Sequence, residues 1–209
     1  MTAVGINRDG KREILGVSVS LSEHEVHWRT FLESLKARGL GGVQLITSDD
    51  HAGLRAARLA VFGGIPWQRC QFHLQQNAQA YVPRKDMQAE VAEDIRTIFN
   101  APDRTTAEAY LTKTVEKYQK TASRLAEWMA ANIPEGLTVF SFPSAHRRLV
   151  RTTNSVERLH REVRRRARVV SIFPNQASCR RRLVSAVLNE ISDEWLTGTS
   201  SRCPSGEHI

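Results

Sequence analysis

Two carboxylate positions and one Cys–His pair are the residues in this chain whose types and settings suit chemistry. Asp49 and Asp50 follow the apolar run GVQLITS, Gly42 to Ser48, and precede a helical pattern that starts near Gly53–Leu54. The carboxyl end of a buried strand is where open α/β sheets gather their ligands. Capping the next helix is the other use of an Asp at such a place. Glu157 stands three residues after Asn154, the spacing of a capping box, so a helix is expected to begin there with Glu157 in its first turn. Cys70 and His73 make a C-x-x-H pair. A structural zinc needs four ligands, and Cys179 and Cys203 lie far along the chain without nearby His, so a buried thiol beside a hydrogen-bonded His is expected instead.

The arginines behind Glu157 are the second chemical signal. Arg158, Arg161, Arg164, Arg165, Arg166 and Arg168 follow it with no Pro or Gly before Pro174. Arg161, Arg164, Arg165 and Arg168 share one helical face, and Glu157 lies on that face one turn earlier. From Ser144 to Arg182 there are 12 Arg and 2 Glu, a net of +10, whereas the whole chain is +8. The positive charge is therefore concentrated, and the remainder is slightly acidic. A solvated helix face usually mixes signs. Guanidinium forks match phosphate oxygens in pairs, so a nucleic-acid backbone is the partner this pattern suits best.

The elements that must position these groups read as a mixed α/β chain. Thr2–Asn7 and Glu13–Ser20 are expected strands joined by a turn at Arg8-Asp9-Gly10. Ser22 to Arg38 reads as a helix ended by glycines, Gly42–Ser48 as a strand, and Leu54–Val61 as a helix. Trp67–Leu74 reads as a strand running into a helix. From Gln75 the pattern is helical: Val91, Ile95, Ile98 and Phe99 repeat at helical spacing, as do Ala107, Leu111, Val115 and Tyr118, then Leu125, Trp128 and Met129. Leu137–Phe142 is expected to be extended, and Asn175–Trp195 to be a last helix. The tail 198–209 is rich in Ser, Gly and Thr and is expected to be disordered.

With 209 residues, 41% hydrophobic and 25% charged, the chain has the composition of a folded globular protein. No stretch has the length of a bilayer-spanning helix, and the first residues lack a signal-peptide pattern. Three cysteines form no disulfide framework. A reducing cytoplasm is the expected compartment, and basic charge by itself does not separate a nucleic acid from an anionic membrane as partner.

Taken in order, SDDHAGL (48–54), WQRCQFH (67–73), RTTNSVERLHREVRRR (151–166), VVSIFPN (169–175) and DEW (193–195) resemble the Mutator-like bacterial insertion-sequence transposases. These are acid-triad (DDE) enzymes with an RNase H-like core, and the resemblance runs from about Ala3 to Trp195. It implies that Asp49, rather than Asp50, is the second triad acid and Glu157 the third. Both would be ligands of Mg²⁺ (or Mn²⁺) in DNA cleavage and strand transfer. The six arginines from Arg158 to Arg168 would hold DNA, with transposon ends and target as partners. Cys70 and His73 match a family signature and are expected to be supportive rather than catalytic. The implied division is an RNase H-like core in two parts, 1–74 and 137–197, around an all-helical insertion at 75–136.

The family pattern also has a first Asp on a strand that precedes the opening two-strand meander, and no residue here matches it. In the implied sheet order of third, second, first, fourth and fifth strands, that strand is central. The expectation is thus a truncated fragment that binds DNA without transposing it, as a homo-oligomer or together with a full-length transposase. The competing expectation is a non-catalytic DNA-binding or transposase-interfering protein. A third is a nuclease using Asp49, Asp50 and Glu157 alone, which requires the strand to have ended before two adjacent residues can reach one metal.

Overall fold

A computed structural model describes residues 1–7, 9–18 and 24–169, together with 188, 191 and 195. The described chain divides into two compact units. The first comprises Met1–Gly41, Ala52–Gly63 and Asn154–Ile209; the second comprises Gly42–His51 and Gly64–Thr153.

In the first unit, β1 (Thr2–Ile6) and β2 (Arg12–Val17) form an antiparallel hairpin. The expected turn is present: Gly10 has φ of 75°, and the Asn7 side chain accepts from the backbone N–H groups of Asp9 and Lys11 at 3.0 and 2.9 Å. Helix α1 (Glu25–Ala37) buries Phe31 and Leu35 and packs on α2 (Ala52–Phe62). Gly39, with φ of 97°, lets the chain turn back so that Leu40 N–H reaches the Leu35 carbonyl at 3.1 Å. Helix α8 (Asn154–Val169) lies against β1. Its Leu159 is buried with Leu188 and Ile191, and Val4, Ile14, Val17 and Val163 pack around them. Ser22, the end of the expected second strand, the VVSIFPN motif, most of the expected last helix and the tail lie outside the described residues.

The second unit joins a short parallel pair, β3 (Ile46–Ser48) and β4 (Trp67–Arg69), to a set of helices. These are α3 (Gln71–Ala78), α4 (Gln88–Phe99), α5 (Arg104–Tyr118), α6 (Ser123–Asn132) and α7 (Ser144–Val150). The periodic positions read from sequence form its core. Val91, Ile95 and Ile98 of α4, Ala107 and Leu111 of α5, and Leu125 and Met129 of α6 are buried together with Leu74. Asp103 caps α5, accepting the Thr106 N–H at 2.8 Å. Gly136 permits close packing, since a Cβ there would stand 2.6 Å from Leu74 Cδ1.

Two expectations are corrected. The strand expected from Gly42 is only three residues long, Ile46–Ser48. Its partner begins after Pro66, which accepts from Ile46 N–H at 3.0 Å but has no N–H to extend the ladder. Leu137–Phe142 is not extended; Thr138–Ser141 is a 3₁₀ turn. The buried Gln68 side chain bonds Val139 N–H at 2.7 Å and Gly136 carbonyl at 2.8 Å, meeting backbone demands that a strand partner would otherwise satisfy. The two strand pairs are separate sheets among the described residues, and the architecture is mixed α/β, mostly helical with small sheets.

Candidate functional site

The site residues are distributed over both units. Asp49 follows the last residue of β3 in the second unit, and Glu157 occupies the first turn of α8 in the first. Each is best understood from its own surroundings.

Asp49 and Asp50 are adjacent, but their environments differ. Asp50 lies 3.4 Å from the guanidinium of Arg69, whose side chain is only 6% exposed. Arg69 also bonds Glu135 at 2.9 Å and Asn132 at 2.8 Å. One buried cation is thus surrounded by two carboxylates and an amide, and Asp50 is committed to it. Asp49 is exposed and makes no side-chain hydrogen bond or ion pair among the described residues. Of the two acids, Asp49 is the one available to a cation or to solvent.

Behind these acids, the segment Val150–Thr153 is fastened to the strand pair. Thr47 Oγ1 donates to the Val150 carbonyl at 2.6 Å, and Gln71 N–H donates to the Arg151 carbonyl at 3.1 Å. Thr153 donates to Cys70 Sγ twice, from its N–H at 3.4 Å and its hydroxyl at 3.3 Å. Cys70 is fully buried and directly precedes α3, and its own N–H bonds the Ser48 carbonyl at 2.8 Å. Burial pushes the Cys70 thiol up, but hydrogen bonds from His73 and Thr153 outweigh it and hold the thiol below its ordinary range. The C-x-x-H pair is therefore brought together with Thr153.

Helix α8 separates its two kinds of surface. Leu159 is buried, and His160 Nε2 is 2.8 Å from Thr2 Oγ1 of β1. Arg158, Arg161, Arg164 and Arg165 are exposed. Arg165 is held by Glu162 through bonds of 2.9 and 2.7 Å, so part of its charge is offset within the helix. Glu157 is partly exposed. Arg166 and Arg168 belong to the helix, but their side chains lie outside the described residues.

The donor chemistry of Asp49 and Glu157 suits a hard cation, since both offer carboxylate oxygen. Among the described residues no group of three or more His, Cys, Asp or Glu side chains is gathered to hold a metal ion. No described helix is long and apolar enough to cross a membrane.

Residues 1–198 match the family model described as Transposase, Mutator family. The chain belongs to the Mutator family of transposases. It is 59% identical to the transposase for insertion sequence element IS406 of Burkholderia multivorans, over 95% of this chain and 51% of that protein. It is 41% identical to the transposase for ISRM5 of Rhizobium meliloti, over 94% of this chain and 49% of that protein. It is 37% identical to the transposase for IS256 in transposon Tn4001 of Staphylococcus aureus, over 93% of this chain and 50% of that protein. The chain spans about half the length of the curated relatives it matches.

Arg69, Gln68, Thr47 and Thr153 escaped the reading of this transposase chain as a sequence. The signal available was the pair Gln68-Arg69 within a short strand, polar residues where an apolar run was due. Arg69 reaches Asn132, Gln68 reaches Val139, Thr153 reaches Cys70 and Thr47 reaches Val150, separations of 63 to 103 positions that no local pattern encodes.

Proposed function

We propose that this chain supplies the DNA-facing helix and two of the metal-binding acids of an insertion-sequence transposase. The observation that carries the proposal is the family match over nearly the whole chain, joined to the different fates of Asp49 and Asp50. In this reading Asp49 and Glu157 together hold Mg²⁺ or Mn²⁺. A bound pair of such ions activates a water or 3′-hydroxyl and stabilises the leaving oxygen of an in-line displacement at phosphorus. Asp49 contributes an uncommitted carboxylate at a strand end, and Glu157 stands in the first turn of a helix; both are rigid supports. Arg158, Arg161, Arg164, Arg165, Arg166 and Arg168 hold the phosphate backbone of transposon ends and target, fixing position without reading sequence. The protein then resides with the nucleoid and acts as a homo-oligomer or beside a full-length transposase.

The same reading makes β1–β2 and β3–β4 parts of one RNase H-like sheet. Residues 1–74 and 137–197 are its core, and 75–136 the helical insertion. The engagement of Asp50 by Arg69 weighs against a nuclease that uses both adjacent acids. This reading expects the chain to bind duplex DNA through α8.

The test is DNA binding as a function of salt, with cleavage assayed alongside in Mg²⁺ or Mn²⁺. Affinity should fall steeply as salt rises, and Arg164→Glu with Arg165→Glu should reduce the log–log slope by about 2, one per lost phosphate contact. An unchanged slope removes α8 from the DNA interface. Robust cutting or joining of DNA that carries matched ends would show that the residues of this chain suffice for the chemistry.

A further inference from the structure

The C-x-x-H pair has no part in the DNA and metal chemistry proposed above, yet its sulfur accepts two hydrogen bonds from Thr153. We infer that Cys70 is a positioning residue for Glu157, acting through Thr153 as a sulfur latch on the segment that leads into α8. The inference rests on the reading of Glu157 as a metal-binding acid.

The bonds on the page define the latch. Val150, Arg151 and Thr153 are each held, by Thr47, Gln71 and Cys70 in turn. The first two bonds use a hydroxyl and a backbone amide that many residue types could supply. The third needs an acceptor with no bulk beyond it, because Cys70 is fully buried where the chain enters α3. A thiol sulfur accepts from several donors at long range, and it takes both the N–H and the O–H of Thr153. His73 acts on the same sulfur, drawing it toward the thiolate, which is the stronger acceptor. Asn154, the next residue after Thr153, is the first of α8, and Glu157 follows in the same turn. A free Thr153 would let that turn fray, since helix ends depend on outside partners for their first amides. The cysteine thus controls where the helix begins without touching DNA or metal.

The experiment is amide hydrogen exchange on the 209-residue chain, residue by residue, with Cys70→Ala, Cys70→Ser and Thr153→Val. Cys70→Ala should speed exchange at Thr153, Arg158 and Leu159 by about tenfold, since both Thr153 bonds to the sulfur are lost. Amides of Val91 to Phe99 should change by less than about twofold, because the helical core is untouched. Cys70→Ser keeps an acceptor and should restore most of the protection. Thr153→Val keeps the N–H bond and loses only the O–H bond, so its effect should be smaller than that of Cys70→Ala.

Equal acceleration in the α4 core and at Thr153 would make Cys70 an ordinary packing residue and overturn the inference. So would unchanged exchange at Thr153. Failure of the underlying reading has a separate signature. If Glu157→Gln leaves Mn²⁺ uptake unaltered while Cys70→Ala still loosens the first turn of α8, the latch exists but Glu157 is not its purpose.

Discussion

The two units of this chain solve different problems with the same twenty side chains. In the second unit, helices α4 to α6 turn their apolar stripes on one another, and Val91, Ile95, Ile98, Ala107, Leu125, Ala126 and Met129 are fully buried. In the first, every residue of β1 and β2 keeps some access to solvent, and Leu159 is the buried hydrophobic residue of α8 among those described. A helix that presents Arg158, Arg161, Arg164 and Arg165 to solvent has little surface left for a core. The division teaches that packing is concentrated in the unit that holds Asp49, and charge in the unit that holds Glu157.

The contrast can be broken most forcefully in the core. Leu125→Ala should destabilise the protein by about 2 to 5 kcal/mol, since it opens a cavity among helices with no room to collapse. Ile14→Ala on the half-exposed hairpin should cost roughly 1 kcal/mol, because less apolar area leaves water there. Denaturant unfolding measures both; equal costs would erase the distinction between the units. An effect of about 3 kcal/mol, between the hairpin value and the upper end of the core cavity, is expected for Arg69→Met. That change leaves the carboxylates of Asp50 and Glu135 facing an apolar side chain, and the figure sits at the low end for a buried pair because both acids reach solvent. An Arg69→Met protein as stable as the parent would show that the cation does not hold the ground beneath Asp49.

Much of the packed unit was legible from sequence, because helical periodicity is local. The spacings Val91–Ile95–Ile98 and Ala107–Leu111–Tyr118 carry their own burial. The turn at Asp9-Gly10, the glycine end of α1 and the start of α8 at Asn154 were legible for the same reason. The strand from Gly42 was overread, since apolar composition does not reveal that Pro66 stops the partner. The polar network was invisible. Arg69 reaching Glu135, Gln68 reaching Val139 and Cys70 reaching Thr153 are pairings between residues 66 to 83 positions apart. The candidate acids were found through their setting in family motifs. Which of two neighbouring aspartates is committed to an ion pair became visible only with Arg69 in place.

The central claim is that Asp49 and Glu157 serve one divalent ion. Mn²⁺ uptake followed by electron paramagnetic resonance, in the presence of duplex DNA, tests it through a double-mutant cycle. Asp49→Asn, Glu157→Gln and the pair should each lower affinity by nearly the same factor, because either loss already dismantles a shared site. Losses that multiply in the double variant, or variants that bind Mn²⁺ as the parent does, would contradict it.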